Sequence, residues 1–553
     1  MNLRRLQKEQ IRMFESMKTR TSFLLVLSAW LGLCGALHPA IIKGYKFFDS
    51  ITEEEIVIRG IDYYPRPNVG FYDRNSVDFF TEYFRHLWER DLPYLQQLGV
   101  NAVRLYSVDP HENHDAFMCA LNQAGIYAVV GLASECPTCA ITRDKAPDCY
   151  PVDLKERGQA VVQEFAKYTN TLAFSTGNEV NHAAPANEPE WNGPCLKKFM
   201  RDMRQFIDSC TNMRKVPLGL VSADTQRDEN AMYYNCQGDP SDKYEGAEWY
   251  GFNSYVSCDP DIDEYQNASG LVFLQQDFER YQYSIPVVMT EYGCLSKNFK
   301  TIDGYEGQRD FKQTEWLMTE PDLREQFSGG FVFEYSTEMK NAIGDSAYPF
   351  TSFGHQNYGI GYFEPEDCDE VLVPCIFKPL PSYHNLQAIY NQTNSTVVTT
   401  MNSFEVPENR TNRSQCPRQF KILSHFRWKA DHKKDISCPL VGSDSNFTCP
   451  ANLDELRGRF GYRKYYYIRF NFLEGSLAFG IVSIIALCAL RFMKEKKVES
   501  DMSDLNLPRS LYCAVQLQGD DSDESTGLLA MQDLTYASSK TAYQAIDSSA
   551  SDE

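Results

Sequence analysis

Leu172-Ala-Phe-Ser-Thr-Gly-Asn-Glu-Val180 is an apolar run that ends in a carboxylate, and Ile285-Pro-Val-Val-Met-Thr-Glu291 repeats this arrangement. Such short apolar runs predict buried strands, here over residues 172–177 and 285–291. A carboxylate at the end of a buried strand points toward one edge of the sheet. The fold is therefore decided by how many strands of this kind the chain holds.

Eight such strands are predicted between residues 56 and 335. They are Ile56–Tyr63, Asn101–Val108, Ile126–Ala133, Leu172–Gly177, Val216–Ser222, Glu248–Tyr255, Ile285–Glu291 and Gly329–Tyr335. Stretches with helical periodicity separate most of them, such as Val77–Leu98, Glu112–Ala124, Leu154–Tyr168, Leu196–Cys210 and Asp310–Glu320. Eight βα units predict an α/β fold, a (β/α)8 TIM barrel within residues 38–340, with its chemistry at the carboxyl ends of the strands.

Glu179 and Glu291 end the predicted fourth and seventh strands. Two carboxylates in a barrel mouth shift each other's pKa, so that one can act as an acid and the other as a nucleophile. Retaining glycosidases need carboxyl groups about 5 Å apart for this purpose. Either glutamate alone could be an ordinary polar residue that closes a strand, but the pair, with Asn178 beside Glu179, favours catalysis.

Charge excludes one class of function. The chain of 553 residues has a net charge of −21, which argues against a nucleic-acid binder with a basic face. Eleven acidic and two basic side chains lie in residues 498–553. This composition predicts a disordered acidic tail over residues 494–553.

The ends of the chain predict a secreted, membrane-tethered protein. Residues 1–37 combine a basic segment with a short apolar run, as in a signal peptide, although an uncleaved signal anchor is the alternative. Gly475–Leu490 is an uncharged apolar run, followed by Arg491, Lys494, Lys496 and Lys497. This predicts one transmembrane helix over residues 473–493 rather than a buried core helix.

Cysteines and glycosylation motifs agree with that topology. Fourteen of 17 cysteines lie between Cys119 and Cys449, an even number that full disulfide pairing requires. Cys136-Pro-Thr-Cys139 could be a redox or zinc pair, but disulfides are favoured. Six Asn-x-Ser/Thr motifs stand at Asn267, Asn391, Asn394, Asn409, Asn412 and Asn446. Residues 341–470 are therefore predicted to be a disulfide-tied cap and a glycosylated stalk.

Several motifs together resemble the yeast-type cell-wall β-1,3-glucanosyltransferases of glycoside hydrolase family seventy-two. They are Asn101-Ala-Val-Arg-Leu-Tyr106-Ser-Val, Ile126-Tyr-Ala-Val, Gly177-Asn-Glu-Val180, Arg204-Gln-Phe-Ile207 with Lys215-Val-Pro-Leu-Gly219, Ser222-Ala-Asp224 with Arg227, Tyr250-Gly-Phe-Asn-Ser-Tyr255, Glu291-Tyr-Gly-Cys294 and Ser328-Gly-Gly-Phe-Val. The resemblance covers roughly residues 55–340.

This resemblance implies a role for each matching residue. Glu179 would be the acid/base and Glu291 the nucleophile, and the donor groove would hold Tyr106, Asn178, Asp224, Arg227, Tyr255 and Tyr335. Asn178 can bind the sugar 2-hydroxyl, and Arg104 or Tyr255 can support the Glu291 carboxylate. Simple core filling is the alternative for the tyrosines.

The chain also departs from the family. Tyr63-Tyr64 stands where the family usually has Tyr-Gln, and Gly131 stands where it usually has Asp. The resemblance implies that Cys119 pairs with Cys136, Cys139 or Cys149, Cys236 with Cys368 or Cys375, and Cys258 with Cys294. We find no clear match to the family's cysteine-box carbohydrate module. Most relatives end in a lipid-anchor signal, whereas here polar residues follow the apolar run.

Three functions fit these observations: a membrane-tethered β-1,3-glucanosyltransferase, an endo-β-1,3-glucanase, or an inactive glucan-binding receptor. None of them requires a cofactor or a metal, because double displacement needs none. The tail carries sorting-like motifs at Glu524-Ser-Thr-Gly-Leu528-Leu529, Tyr512-Cys-Ala-Val515 and Tyr543-Gln-Ala-Ile546. They indicate cytoplasmic sorting adaptors as partners, and a plasma-membrane or a vacuolar or endosomal location.

Overall fold

The computed structural model describes residues 37–185, 188–257, 261–293, 309–341, 348–349, 358–393, 399–440 and 447–457. The chain divides into two compact units, residues 1–453 and 454–553. In the second unit the described part is one short helix, Asp454–Arg457. All other elements belong to the first unit.

Eight parallel strands close into a barrel, in the order β10-β3-β4-β5-β6-β7-β8-β9. They are β3 (Ile58–Asp62), β4 (Ala102–Leu105), β5 (Tyr127–Gly131), β6 (Thr171–Asn178), β7 (Leu218–Ala223), β8 (Trp249–Asn253), β9 (Val287–Tyr292) and β10 (Gly329–Val332). All eight predicted strands exist, and the predicted TIM barrel is confirmed.

Large side chains fill the lower half of the barrel interior. Val129, Trp249, Val288 and Phe331 belong to one buried cluster. Small residues on neighbouring strands make room for the rings: a Cβ on Gly60 would lie 2.3 Å from the Phe331 ring. The barrel interior is thus a packed core, and in TIM barrels ligands bind at the carboxyl ends of the strands.

An N-terminal hairpin closes the barrel at the end opposite the strands' carboxyl termini. It consists of β1 (Ala40–Lys43) and β2 (Lys46–Asp49), which pair antiparallel. Ala40 and Phe47 join the same buried cluster as the barrel residues. This hairpin was not predicted, because each of its strands has only four residues.

Helices surround the barrel. They are α1 (Arg85–Leu98), α2 (Asp115–Gln123), α3 (Val152–Phe165), α4 (Gly193–Ser209), α5 (Arg227–Asn235), α6 (Ser269–Tyr281), α7 (Lys312–Thr319), α8 (Pro321–Gln326) and α9 (Pro381–Thr393). The five predicted helices exist. The first begins later than predicted, because Asp78 accepts the Phe80 backbone N–H and shapes residues 77–81 as a turn.

Residues beyond the barrel return to it. Strands β11 (Gly361–Glu364) and β12 (Ile376–Pro379) form a hairpin, and α9 packs on α1 and α7. Residues 399–440 and 447–453, which we call the strap, then run over the outside of the barrel. Lys43 of β1 donates to the carbonyl oxygens of Met401 and Phe404 in the strap, each at 2.7 Å.

Six disulfides lie among the described residues, and they correct two predicted pairings. Cys119 bonds Cys449 rather than Cys136, Cys139 or Cys149, and Cys236 bonds Cys416 rather than Cys368 or Cys375. The others are Cys136–Cys139, Cys149–Cys195, Cys210–Cys438 and Cys368–Cys375. The pairings differ because the strap brings its own cysteines to the helices. The predicted Cys258–Cys294 bond lies outside the described residues.

Within the described residues, no helix has both the length and the apolar character that a membrane crossing needs. The predicted signal peptide except Leu37, the predicted span at residues 473–493 and the predicted tail at 494–553 lie outside the described part of the chain.

Candidate active site

Glu179 and Glu291 both lie at the carboxyl ends of barrel strands. Glu291 belongs to β9, whereas Glu179 directly follows β6. Glu179 adopts φ 50° and ψ 34° and begins a short 3-10 turn, Val180–Ala183. A left-handed conformation at a non-glycine residue costs about 1–3 kcal/mol, so the surrounding structure must hold it.

Asparagine side chains hold that turn. Asn181 accepts the Ala223 backbone N–H at 2.9 Å and donates to the Ala223 carbonyl at 3.0 Å. Asn192 donates to the Val180 carbonyl at 2.9 Å. The turn is therefore fastened to β7 and α4, which fixes where the Glu179 side chain starts.

Three donors surround the Glu291 carboxylate. Arg104 Nη1 lies 2.9 Å and the Tyr106 hydroxyl 2.8 Å from Oε1, and the Tyr255 hydroxyl lies 3.2 Å from Oε2. Glu291 is buried, with 8% of its surface exposed. Hydrogen bonds to a charged carboxylate are stronger and shorter than neutral ones, so these donors fix the position of Glu291.

A chain of hydrogen bonds joins the two carboxylates. Arg104 Nη2 donates to Asn178 Oδ1 at 2.7 Å, and Asn253 Nδ2 donates to the same oxygen at 3.1 Å. Asn253 Nδ2 also donates to Glu179 Oε1 at 2.8 Å. Thr290 orients Asn253 by donating to its Oδ1 at 2.8 Å. Both glutamates thus belong to one network.

Asn253 and Asp62 were not predicted as site residues. Asn253 lies inside the motif Tyr250-Gly-Phe-Asn-Ser-Tyr255, at the end of β8, and this strand-end position was the signal that could have identified it. Asp62 ends β3 and accepts from Arg104 Nη1 at 3.2 Å. His182, in the turn after Glu179, was also missed, and its Nδ1 lies 3.4 Å from Glu179 Oε2.

The two glutamates differ in electrostatic environment. Burial raises the pKa of Glu291, and although Arg104 opposes this effect, the net pKa is raised. Burial acts on Glu179 in the same direction, but hydrogen bonds from His182 and Asn253 outweigh it and lower its pKa. Burial raises the pKa of Asp62 well above its ordinary value, which favours a neutral Asp62. The positive charge of Arg104 then pairs with the Glu291 carboxylate.

Asp224 and Arg227 lie at the neighbouring rim as an ion pair. Arg227 donates through Nε and Nη2 to the two Asp224 oxygens at 2.6 and 2.7 Å. A third bond, from Arg227 Nη1 to Asp277, lies at 2.7 Å. The Ser254 hydroxyl donates to Asp224 at 2.5 Å. Most hydrogen-bonding groups of Asp224 and Arg227 therefore have partners within the protein.

Tyr335 and Tyr64 lie in the protein core. Tyr335 is fully buried, and its ring stacks on Phe377 with centroids 4.3 Å apart. Tyr64 is buried too, and its hydroxyl donates to two carbonyl oxygens of the 74–77 loop, at 2.9 and 2.7 Å. The structure therefore brings Tyr106, Asn178 and Tyr255 to the two glutamates, but not Tyr335 or Tyr64.

A family model described as Glucanosyltransferase matches residues 32–345, which hold the entire barrel. The chain belongs to this glucanosyltransferase family. It is 33% identical over 302 residues to the 1,3-beta-glucanosyltransferase PGA4 of Candida albicans. The aligned region covers 54% of this chain and 60% of that protein. It is 34% identical over 325 residues to gas5 of Schizosaccharomyces pombe, covering 58% of this chain and 59% of the relative.

Solved structures agree with the family assignment. A crystal structure of ScGas2 in complex with a small compound superposes with a TM-score of 0.52 and 26% identity, covering 70% of this chain and 75% of that one. The structure of a glutamate-to-glutamine mutant of Saccharomyces cerevisiae Gas2p, in complex with laminaritetraose and laminaripentaose, superposes with a TM-score of 0.51 and 26% identity. The match covers 68% of this chain and 72% of that one. This glucanosyltransferase family member spans about 60% of the length of the curated relatives that it matches.

Proposed function

We propose that this chain is a retaining β-1,3-glucanosyltransferase. The observation that carries the proposal is the joined pair of glutamates: Glu291 is fixed by Arg104, Tyr106 and Tyr255, and Glu179 is linked to it through Asn178 and Asn253. Relatives named 1,3-beta-glucanosyltransferases, and a Gas2p structure that holds laminari-oligosaccharides, support β-1,3-glucan as the substrate.

The reaction takes place in two steps. In the first, Glu291 attacks the anomeric carbon as Glu179 gives a proton to the departing oxygen, and a glycosyl ester forms on Glu291. In the second, Glu179 takes the proton of an acceptor hydroxyl, whose oxygen replaces Glu291 at the anomeric carbon. Transfer to another glucan end elongates that chain. Each step inverts the anomeric carbon, so the two steps together retain the β configuration.

The supporting residues have two roles in this scheme. Arg104, Tyr106 and Tyr255 hold Glu291 in its attacking position, because each donates a hydrogen bond to its carboxylate. Asn178 is partly exposed to the mouth, and its amide N–H groups can reach a sugar hydroxyl. A hydrogen bond to the 2-hydroxyl strengthens in the transition state.

The decisive experiment incubates the purified full chain with a laminari-oligosaccharide labelled at its reducing end. We expect products longer than the starting sugar. Shorter products alone would identify an endo-β-1,3-glucanase, and binding without turnover would identify a glucan receptor. Cleavage of β-1,4- or β-1,6-glucan instead would overturn the substrate assignment.

Variants of the glutamates test their roles. Glu291→Gln should abolish turnover while glucan still binds, because the amide cannot form the glycosyl ester. Glu179→Gln should lose turnover of glucan, and azide with an activated donor should partly restore it as a β-azide product. Glu188→Gln, on an exposed loop, is the matched control. An α-azide product would contradict retention.

We also propose that the catalytic unit is secreted, N-glycosylated and tethered by residues 473–493. The support is the apolar run with its basic flank, the six sequons and the disulfides. Of the sequons, Asn267, Asn391, Asn409 and Asn412 are exposed. A shift in mass on treatment with an N-glycosidase, and extraction from membranes only by detergent, should follow.

The location is proposed to be the plasma membrane or a vacuolar or endosomal membrane. Support comes from the clustered sorting-like motifs in the acidic tail. Replacing Leu528 and Leu529 by Ala should move a vacuolar protein to the cell surface. If microscopy shows an unchanged distribution, this dileucine motif does not direct sorting of the protein.

A further inference from the structure

His182 is the one titratable side chain on the short turn that follows Glu179. Its Nδ1 lies 3.4 Å from Glu179 Oε2, and 34% of the His182 side chain is exposed to solvent. The other Glu179 oxygen, Oε1, accepts from Asn253 at 2.8 Å. Each oxygen of Glu179 therefore has its own neighbour, an amide on the inner side and an imidazole on the outer side.

The position of the imidazole is built into the backbone. The His182 backbone N–H donates to the Glu179 carbonyl at 2.9 Å, which closes the turn on itself. Asn181, between them, is buried and fastened to β7 through both of its side-chain bonds to Ala223. His182 is thus held beside Glu179 by the same contacts that place Glu179.

We propose that His182 is a positioning residue that stores the proton which Glu179 gives to the departing sugar oxygen. The inference rests on the proposed function. Before reaction the pair holds one proton, as imidazolium and carboxylate. The imidazolium passes it to Glu179, and Glu179 gives it to the glycosidic oxygen as the C–O bond breaks and Glu291 bonds the anomeric carbon. In the second step the acceptor hydroxyl returns a proton to Glu179, and from there it goes back to His182.

This arrangement resolves a conflict within the site. An acid catalyst must be protonated, yet the pKa of Glu179 is lowered. The pKa of His182 is raised, chiefly by its hydrogen bond with Glu179. The pair therefore keeps its single proton at a higher pH than a carboxyl group alone would. Other charged groups that act on Glu179 or its partner are Arg104, from β4, and Glu291, from β9.

The first test is the pH profile of kcat/KM for His182→Asn, measured on the full chain with a laminari-oligosaccharide. An asparagine amide can occupy the position of Nδ1 but cannot titrate. We expect the basic limb to move to lower pH by roughly one unit, the scale of shift that a neighbouring opposite charge causes. The acid limb, which reports Glu291, should stay in place. His432→Asn, on an exposed turn, is the matched control.

A second donor separates proton storage from a structural role. With an activated leaving group the first step needs no acid, so wild type and His182→Asn should have the same kcat/KM profile. A merely structural defect would lower kcat/KM at every pH and with both donors. That result, or a basic limb that stays in place with the natural donor, would overturn the proposal.

An NMR titration tests the pairing of His182 with Glu179 without turnover. In protein labelled at histidine, the His182 imidazole, assigned by its absence in His182→Asn, should show a raised pKa in wild type and return toward the ordinary value in Glu179→Gln. A His182 imidazole that titrates identically in both proteins would overturn the pairing. Because this readout needs no substrate, a chain that fails to elongate glucan but shows the shift would refute the transferase proposal and retain the His182–Glu179 pair.

Discussion

Arg104 controls the charge distribution of the site. Its guanidinium contacts Asp62 at 3.2 Å, Glu291 at 2.9 Å and Asn178 at 2.7 Å. A planar group with several fixed donors can satisfy these oxygens together, whereas an ammonium is a point charge. The site therefore depends on the shape of this cation as well as on its charge.

Arg104→Lys should lower kcat by roughly two to three orders of magnitude, the loss expected when one preorganised donor is removed from a reacting group. Glucan binding should change less, because the bonds that are lost support Glu291 and Asn178 rather than the body of the sugar chain. Steady-state kinetics with Arg280→Lys, an exposed arginine on α6, provides the control. Unchanged kcat would show that Arg104 only maintains the fold.

Tyr106→Phe should move the acid limb of the kcat/KM profile to higher pH. Burial already raises the pKa of Glu291, and the Tyr106 hydroxyl opposes this by donating to its carboxylate. Loss of that donor raises the pKa of Glu291 further. Because Glu291 must be ionised to attack, the pH range of activity becomes narrower on its acid side. Tyr94→Phe, on α1, should leave the profile unchanged. A limb that moves to lower pH would contradict this reading.

At the scale of elements, α2, α3 and the loop after β3 are joined by a buried charge cluster. His114 lies at the start of α2, with Nε2 2.8 Å from Asp78 in the loop and Nδ1 3.3 Å from Glu164 in α3. Burial alone would lower the pKa of His114, but the two carboxylates outweigh it and raise the pKa to about 9. The imidazole is therefore charged at neutral pH and holds three elements together.

His114→Asn should reduce stability most at low pH. Because the folded pKa lies above the ordinary 6.5, the contribution is complete below pH 6.5 and disappears as the pH rises through about 9. The pH-dependent part is on the order of 3 kcal/mol. Urea unfolding across this range should show the difference from wild type shrinking with pH. His111→Asn, exposed on the loop between β4 and α2, is the control. A difference that grows with pH would refute the assignment.

At the scale of the whole molecule, the strap ties distant parts of the catalytic unit together. Its three disulfides to the helices span sequence separations of 330, 228 and 180 residues. Both ends of the described part of this unit contact the end of α2: the Leu37 backbone N–H donates to Asn122 at 3.1 Å, and Gln123 donates to the Pro450 carbonyl at 3.0 Å. This place lies at the barrel end opposite the glutamates.

Removing the Cys236–Cys416 bond by double replacement with Ser should cost more stability than removing Cys368–Cys375. The first closes a loop of 180 residues and the second a loop of 7. In the loop-entropy model the difference is roughly 3 kcal/mol. Thermal unfolding of the two double variants measures it. Transfer activity well below the melting temperature should survive, and its loss would show that the strap shapes the site.

Alternation and length of apolar runs were enough to predict all eight barrel strands and the position of both glutamates, because a strand's burial and its end are local properties of the sequence. Asp224 and Arg227, which the resemblance implied for the donor groove, lie at the neighbouring rim as an ion pair, and their role in binding stays a prediction. Helices α5, α6, α8 and α9 were not predicted. The short helices α5 and α8 have weak apolar stripes, and only contact with the rest of the protein stabilises them.

Which tyrosines face the mouth could not be read from the sequence. Tyr106 and Tyr335 are both aromatic residues at strand ends, yet one reaches Glu291 and the other stacks on Phe377 of the β11–β12 hairpin. The hairpin follows the barrel in the chain and covers Tyr335 only after folding.

The sequence by itself determined the barrel and its pair of strand-end glutamates, since both follow from short-range patterns of burial. The tertiary structure decided the disulfide pairing, the core position of Tyr335, and the network through Arg104, Asn253 and His182. Those features join residues that are as many as 330 positions apart, and contacts at such distances depend on how the chain returns to itself rather than on any local pattern.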